Sequence, residues 1–210
     1  MIWRIIMQNP FSVPDDLDAI LNDIWTRWGR GVADRRSAFH TLVVGSIELD
    51  GTPDQRVMVL RKADRANAML RFHTDRRSTK AAQINANNAV SIVGYDPGAK
   101  IQLRASGAAT IVHTGPLADE SWAATSASGR RSYLTTLPPG SVSEIATSGL
   151  PVAFEQAVPT PAESEAGRAN FAIVPVVLDS LEWLHLASTG HRRAVFTRTG
   201  NDWTGEWLIP

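Results

Sequence analysis

The sequence predicts a mainly β protein, an antiparallel barrel with flanking helices, and three observations predict it. After Arg36 the chain runs through short stretches rich in Val, Ile, Leu and aromatic residues at roughly ten-residue spacing. Turn clusters such as Asp50-Gly51-Thr52-Pro53 and Asp96-Pro97-Gly98 separate them. Helical periodicity is confined to the start of the chain and a few short segments, so the alternating strand–helix pattern of a parallel sheet is missing.

The elements follow in order. From Asp15 to Trp28, Leu17, Ile20, Leu21, Ile24, Trp25 and Trp28 recur at three- and four-residue spacing, the stripe of a helix packed on its own barrel in preference to a partner-binding helix, the alternative for such a stripe. Ser12, with Asp15 three residues on, is the expected cap, and Gly29 and Gly31 the expected stop. Strands are expected at Phe39–Leu49, Gln55–Arg61, Met69–Thr74, Ala89–Tyr95 and Ile101–His113, with one short helix, Ser78–Ile84, between the third and fourth. A second helix is expected over Leu117–Ala127. Residues 128–149, rich in Ser, Thr, Pro and Gly, and the acidic stretch 160–167 read as exposed loops. Strands return at Phe171–Leu178, Leu181–Leu186, Arg193–Arg198 and Trp203–Leu208. One domain over residues 1–210 is expected, with 1–36 as a helical extension packed on the barrel.

Of 21 Lys and Arg residues, eight fall between Asp54 and Lys80 (Arg56, Arg61, Lys62, Arg65, Arg71, Arg76, Arg77, Lys80), with only Asp54, Asp64 and Asp75 as acids. The segment is locally positive while the chain carries no net charge. A concentrated positive field on a neutral protein suits a small anionic ligand and argues against nucleic acid, which draws on a broad basic face. With no cysteine there is no disulfide, thiolate metal site or cysteine nucleophile. The opening MIWRIIMQNP has an apolar run too short for a signal segment, and no run reaches membrane-spanning length, so a cytosolic protein is expected.

Within the basic segment a strand ends at Thr74 and a helix opens at Ser78. Free N–H groups at that helix start, the hydroxyls of Thr74, Ser78 and Thr79, and the charge of Lys80 together suit a phosphate, and Arg56 can reach the same anion as a bidentate fork. Ser78 as an ordinary cap among solvated cations is the plainer reading of the same residues. Gln102 and Arg104 share one strand face, either a polar pocket or the outer face of a half-solvated sheet. His40, His73, His113 and His185 are isolated and have no metal-ligand spacing. His191-Arg192-Arg193 opens a strand after Ser188-Thr189-Gly190, either to position an anionic ligand or as a hairpin rim. Trp183, Trp203 and Trp207 are expected in the core or a subunit interface.

Together these pieces resemble the pyridoxamine 5'-phosphate oxidase-like FMN-binding proteins, a split β-barrel family. The match runs from about Ala38 to Pro210: RVMVLR (Arg56–Arg61), FHTD (Phe72–Asp75), RSTKAAQIN (Arg77–Asn85), NNAVSIVGY with Gln102 and Gly107, then LEW (Leu181–Trp183), HRR (His191–Arg193), FTR and a terminal W…LIP. The resemblance implies a split β-barrel, FMN as cofactor and a homodimer with the flavin at its interface. It places Arg56, Thr74, Ser78 and Lys80, with Thr79 and His73 beside them, on the FMN phosphate, and the backbone of Val57, Met58, Val59, Leu60 and Arg61 along the flavin. Gln102 falls on the isoalloxazine, Arg193 on an arginine from the other subunit, and His191 on a substrate contact. The chain departs from the oxidases where Thr189 replaces their first C-terminal arginine, where Arg61 replaces a lysine and Thr79 a basic residue. It also departs around Trp122–Ser132, which lacks the substrate-phosphate Tyr, Arg and Ser, Arg130 and Arg131 being the nearest cations. The resemblance therefore implies an FMN-dependent oxidoreductase on an unidentified small molecule, with pyridoxamine or pyridoxine phosphate oxidase and a non-catalytic FMN carrier or sensor as alternatives, and haem or a deazaflavin disfavoured.

Overall fold

A computed structural model describes residues 14–210. Helix α1 (Leu17–Ala33) buries Ile20, Ile24 and Trp28 almost completely, each contributing about 1.5–3 kcal/mol relative to exposure. Ser12 lies outside the described residues. The cap is made by Asp16, whose carboxylate accepts from the Ala19 N–H at 2.8 Å. Nor does the helix stop at Gly29 and Gly31; it runs through both to Ala33. Gly31 serves close approach instead. A Cβ there would lie 2.4 Å from the Phe39 carbonyl oxygen, so the bare position lets the following segment fold tightly onto the helix.

Among the described residues, nine strands form one antiparallel sheet: β1 (Thr41–Ile47), β2 (Pro53–Val59), β3 (Lys62–Asp64), β4 (Met69–Asp75), β5 (Ala89–Asp96), β6 (Ile101–Ala109), β7 (Phe171–His185), β8 (Arg192–Thr199) and β9 (Asp202–Leu208). The path is β2-β1-β5-β6-β7-β4-β3, with β8 and β9 added on β7. The three-residue β3 was not anticipated. The two strands expected at 171–186 are a single 15-residue strand. One edge of β7 pairs with β6, while the other is shared, by β4 along Phe171–Val177 and by β8 along Ser180–His185. At this division the sheet parts into the two halves of a split barrel.

Asp179-Ser180 looked like a break because Asp and Ser are poor strand formers. A bulge absorbs the pair: the β6–β7 register shifts at Ser106/Gly107, and the Ser106 hydroxyl donates to Asp179 Oδ1 at 2.9 Å. Gly107 is required at this point, because a Cβ would stand 2.1 Å from the Val177 carbonyl oxygen.

The main core joins α1 to inward residues of the sheet, including Leu42, Leu60, Leu70, Phe72, Trp183 and Phe196. Trp203 packs on its rim, and Trp207 is exposed. Trp122, Tyr133, Phe171 and Ile173 make a smaller cluster. The remaining helices are α2 (Thr79–Ala86), α3 (Pro116–Ala123), α4 (Ala127–Arg130) and α5 (Pro161–Ser164). The helix expected over 117–127 is therefore divided at 124–126. The 128–149 stretch begins with helical turns, and 160–167 holds α5, opened by a Thr160/Glu163 capping box. No helix among the described residues is long and apolar enough to cross a membrane.

Candidate functional site

Strands β2 and β4 and the start of α2 enclose a groove of about 590 Å³. It brings together Arg56, Val57, Met58, Val59, Arg61, His73, Thr74, Ser78, Thr79 and Lys80. Leu60, just past the end of β2, is buried in the core at 1% exposure and is the one member of the 56–61 run that does not line the groove.

The turn from β4 into α2 is held by Asp75. Its carbonyl accepts from the Ser78 N–H at 3.1 Å and the Ser78 hydroxyl at 2.7 Å, and its carboxylate accepts from the Arg77 N–H at 2.8 Å. Ser78 is thus the N-cap residue without a side-chain cap bond; its hydroxyl lies 3.2 Å from Thr74 Oγ1. The N–H groups of Thr79 and Lys80 are left without intrahelical acceptors, as at any helix start, and the helix dipole favours negative charge there.

Lys80 is half-buried and closes no ion pair among the described residues. Burial first, and then the Arg56 charge, lower its pKa, against a partial offset from Asp75 and Asp54. A cation held in that way is stabilised by any anion that enters. Arg56 is placed differently from the expected free fork. It donates to Ser46 Oγ at 2.6 Å, the Val44 carbonyl at 3.1 Å and Gln83 Oε1 at 2.8 Å, and it pairs with Asp54. Gln83, fully buried, also accepts from Ser46 at 2.6 Å and donates to Asp54 at 2.9 Å.

The far wall was not visible in the sequence. Ser132, Tyr133, Pro139 and Gly140 come from the 128–149 stretch, tied across by Arg77, which pairs with Asp75 at 2.7 Å and donates to Thr135 Oγ1 at 2.9 Å. Two rings in the walls are held neutral. Burial, then Arg61 and Arg71, push the His73 imidazole down to about 3, and burial pushes the Tyr133 phenol up to about 12. Gln83 carried one faint signal in the sequence, its place one helical turn beyond Lys80 on the same short helix.

Gln102, His191 and Arg193 are not part of this groove. Gln102 stands opposite Leu184, and Leu184 opposite Arg193, so Gln102 and Arg193 share one row on the outer sheet face. Arg193 donates to Glu182 at 2.8 Å, and Arg104 approaches the same carboxylate at 3.3 Å. Gln102 and Arg104 lie on the outer sheet face, where Arg104 also lines a concavity of about 250 Å³ with Ser91, Ser106 and Glu182. His191 is exposed in the preceding turn. Arg130 and Arg131 are committed elsewhere. Arg130 donates to the Trp122 carbonyl at 2.8 Å and to Glu165 at 2.5 Å, and Arg131 to the Phe154 carbonyl at 2.6 Å.

The solved structure of a pyridoxamine 5'-phosphate oxidase-related, FMN binding protein from Nostoc punctiforme is 25% identical, with a TM-score of 0.70 over 95% of this chain and 100% of that one. PhzG from Burkholderia lata, solved in complex with tetrahydrophenazine-1-carboxylic acid, is 19% identical, with a TM-score of 0.66 over 98% of each chain. A search of curated protein sequences finds no match. The fold is that of the pyridoxamine 5'-phosphate oxidase-like split β-barrels. More particularly, residues 24–113 match the family model described as the FMN-binding domain of pyridoxamine 5'-phosphate oxidase. That span contains every groove residue of β2, β4 and α2.

Proposed function

We propose that the chain is an FMN-binding flavoprotein, a homodimer with its flavins at the subunit interface and an oxidoreductase on a small molecule other than pyridoxine phosphate. The observation that supports it is the half-buried Lys80 ammonium, without an acid partner, at the α2 start beside Thr74 and Ser78. Hydroxyls, free N–H groups and one uncompensated cation are the donor set that a phosphate monoester dianion requires, and the residues present fit FMN.

In this reading Lys80, Ser78, Thr74 and the Thr79 and Lys80 N–H groups hold the phosphate. The backbone from Val57, near the end of β2, to Arg61 runs beside the ring system. FMN, when bound, supplies two-electron redox chemistry. The protein orients the ring and shields one face with the 132–140 wall, while neutral His73 and Tyr133 provide hydrogen bonds without charge. Gln102, Arg193 and the substrate-contact candidate His191 lie off the groove of their own protomer, so they serve the groove of a second copy. The composition, free of cysteine, accords with a cytosolic location.

Because both rings of the groove wall are held neutral, a non-catalytic FMN carrier is the second reading. Titration of apo-protein with FMN and riboflavin tests the binding. FMN is expected to bind at least about tenfold more tightly, from charge-assisted hydrogen bonds of about 1.5–3 kcal/mol each, and Lys80→Ala is expected to erase most of the difference. Equal affinities in the wild type would refute a phosphate-directed site. Bleaching of the bound flavin by reduced nicotinamide nucleotides or by candidate substrates, followed by reoxidation, separates turnover from carriage.

A further inference from the structure

Residues 136–149, which supply Pro139 and Gly140 to the groove, are tied down at their two ends. Thr136 donates to the Gly149 carbonyl from its N–H at 2.9 Å and from its hydroxyl at 3.3 Å, closing the segment into a loop. Inside the loop, Ser141 bonds the Pro138 carbonyl, Ser143 the Ile145 carbonyl, and the Gly149 N–H the Thr147 hydroxyl. Among the described residues, no hydrogen bond or ion pair joins 137–148 to the sheet or the helices. Leu137, Val142 and Ile145 are exposed, so apolar burial does little to hold the loop either. A segment of this kind opens at low free energy unless its base is fixed.

Arg77 fixes that base. Its Nη2 and Nε grip the buried Asp75 carboxylate at 2.7 and 3.0 Å, and Nη2 also donates to Thr135 Oγ1 at 2.9 Å and to the Thr135 carbonyl at 3.1 Å. Asp75 is also the residue whose carbonyl holds the Ser78 N–H and hydroxyl. One guanidinium therefore joins the turn that opens α2 to the residue before the loop. The Asp75 hydrogen bonds raise the Arg77 pKa and neutralise its charge, so Arg77 supplies position to the groove and not a free cation. The loop meets the phosphate-facing groups at Gly140, whose φ of +92° suits glycine. A Cβ there would stand 3.5 Å from Thr79 Oγ1.

We propose that Arg77 is a positioning residue for the cofactor: it latches the 136–149 loop across the phosphate end of the groove, and FMN leaves only when the Arg77–Thr135 bonds break. The proposal rests on the reading of the groove as an FMN site. It makes the lifetime of the bound flavin depend on a side chain that does not touch it, through a bridge between the α2 turn and the opposite wall.

Release of FMN and of riboflavin is followed by recovery of flavin fluorescence after rapid dilution of loaded protein. Riboflavin has no phosphate for the closed end to retain, so it reports any general loosening of the groove. Arg77→Ala is expected to speed FMN release by at least about tenfold and riboflavin release by no more than about twofold. Arg77→Lys is expected to regain part of the loss, since one ammonium at the Nη2 position reaches both Asp75 and Thr135 without the Nε contact. Thr135→Val removes the hydroxyl acceptor and leaves the Asp75–Arg77 pair intact. It is expected to speed FMN release about threefold or more, with Thr135→Ser within about twofold of wild type, and it stands in should Arg77→Ala fail to fold. Hydrogen exchange of the 137–148 amides in apo-protein is expected to quicken in Arg77→Ala and Thr135→Val. The proposal is overturned if FMN release is unchanged in these variants, if riboflavin release quickens as much, or if the loop amides exchange as in wild type. A wild type that takes up no FMN refutes the flavin reading, and exchange in the apo-proteins then decides the latch independently.

Discussion

Asp54 and Arg56, two residues apart on one face of β2, close an ion pair that Gln83 of α2 bridges from both sides, accepting from the guanidinium at 2.8 Å and donating to the carboxylate at 2.9 Å. The pair sits at the mouth of the groove and orients Arg56 before any ligand arrives. It also sets a carboxylate beside the place where a phosphate would bind, and Asp54, its pKa lowered chiefly by the Gln83 amide, is ionised at neutral pH.

Asp54→Asn is therefore expected to tighten FMN binding by about threefold or more, since it removes a repelling charge and releases the guanidinium. Fold stability should change by no more than about 1 kcal/mol, because the carboxylate is partly exposed and such pairs contribute little. Quenching of flavin fluorescence during titration measures the affinity. Weaker binding would mean that Asp54 acts by positioning Arg56.

A second expectation concerns assembly. Gln102 and Arg193 share a row on the outer sheet face while the groove opens elsewhere. Sedimentation is expected to show a dimer at micromolar concentration with flavin bound. Arg193→Ala should loosen FMN although Arg193 does not touch the groove of its own protomer. A flavin-loaded monomer would contradict this.

Pyridoxine and pyridoxamine phosphates are expected to be poor substrates. Thr189 carries no charge where the oxidases have an arginine, and Arg130 and Arg131, the two cations able to compensate, are spent on Glu165 and on backbone carbonyls. Loss of one charged contact in a desolvated site costs about 2–5 kcal/mol. Steady-state assays check this, and a kcat/KM of about 10⁴ M⁻¹s⁻¹ or higher would show that another group takes up the phosphate.

His73 gives a pH dependence of stability. Its folded pKa, about 3, lies below the ordinary 6.5, so as pH falls the unfolded chain binds the proton first. The contribution is complete above 6.5 and is lost progressively between 6.5 and about 3, at up to about 1.4 kcal/mol per pH unit. Urea unfolding of wild type and His73→Gln from pH 7 to 4 should show a shallower decline in the variant. Parallel curves would mean that His73 titrates normally.

Much of the architecture was legible because strand signals are local. The alternation in RVMVLR, the turn cluster before it and the Thr74-to-Ser78 junction each lie within a few residues, and they marked β2, β4, α2 and the groove between them. Periodicity misjudged what depends on distant partners. Gly31 read as a stop until the Phe39 backbone was seen against it, and Asp179-Ser180 read as a break until the bulge opposite Gly107 absorbed it.

The sequence by itself determined the strand periodicity, the local positive charge and the Thr74, Ser78 and Lys80 set, because these are properties of neighbours along the chain. Only the tertiary structure decided which cations remain unpaired. Asp54 and Gln83 took Arg56 from 2 and 27 residues away, Thr135 took Arg77 from 58, and Arg35, Arg61 and Arg71 were left facing one cavity. A charge is free or satisfied according to what folding brings within hydrogen-bond reach, and no local pattern records that.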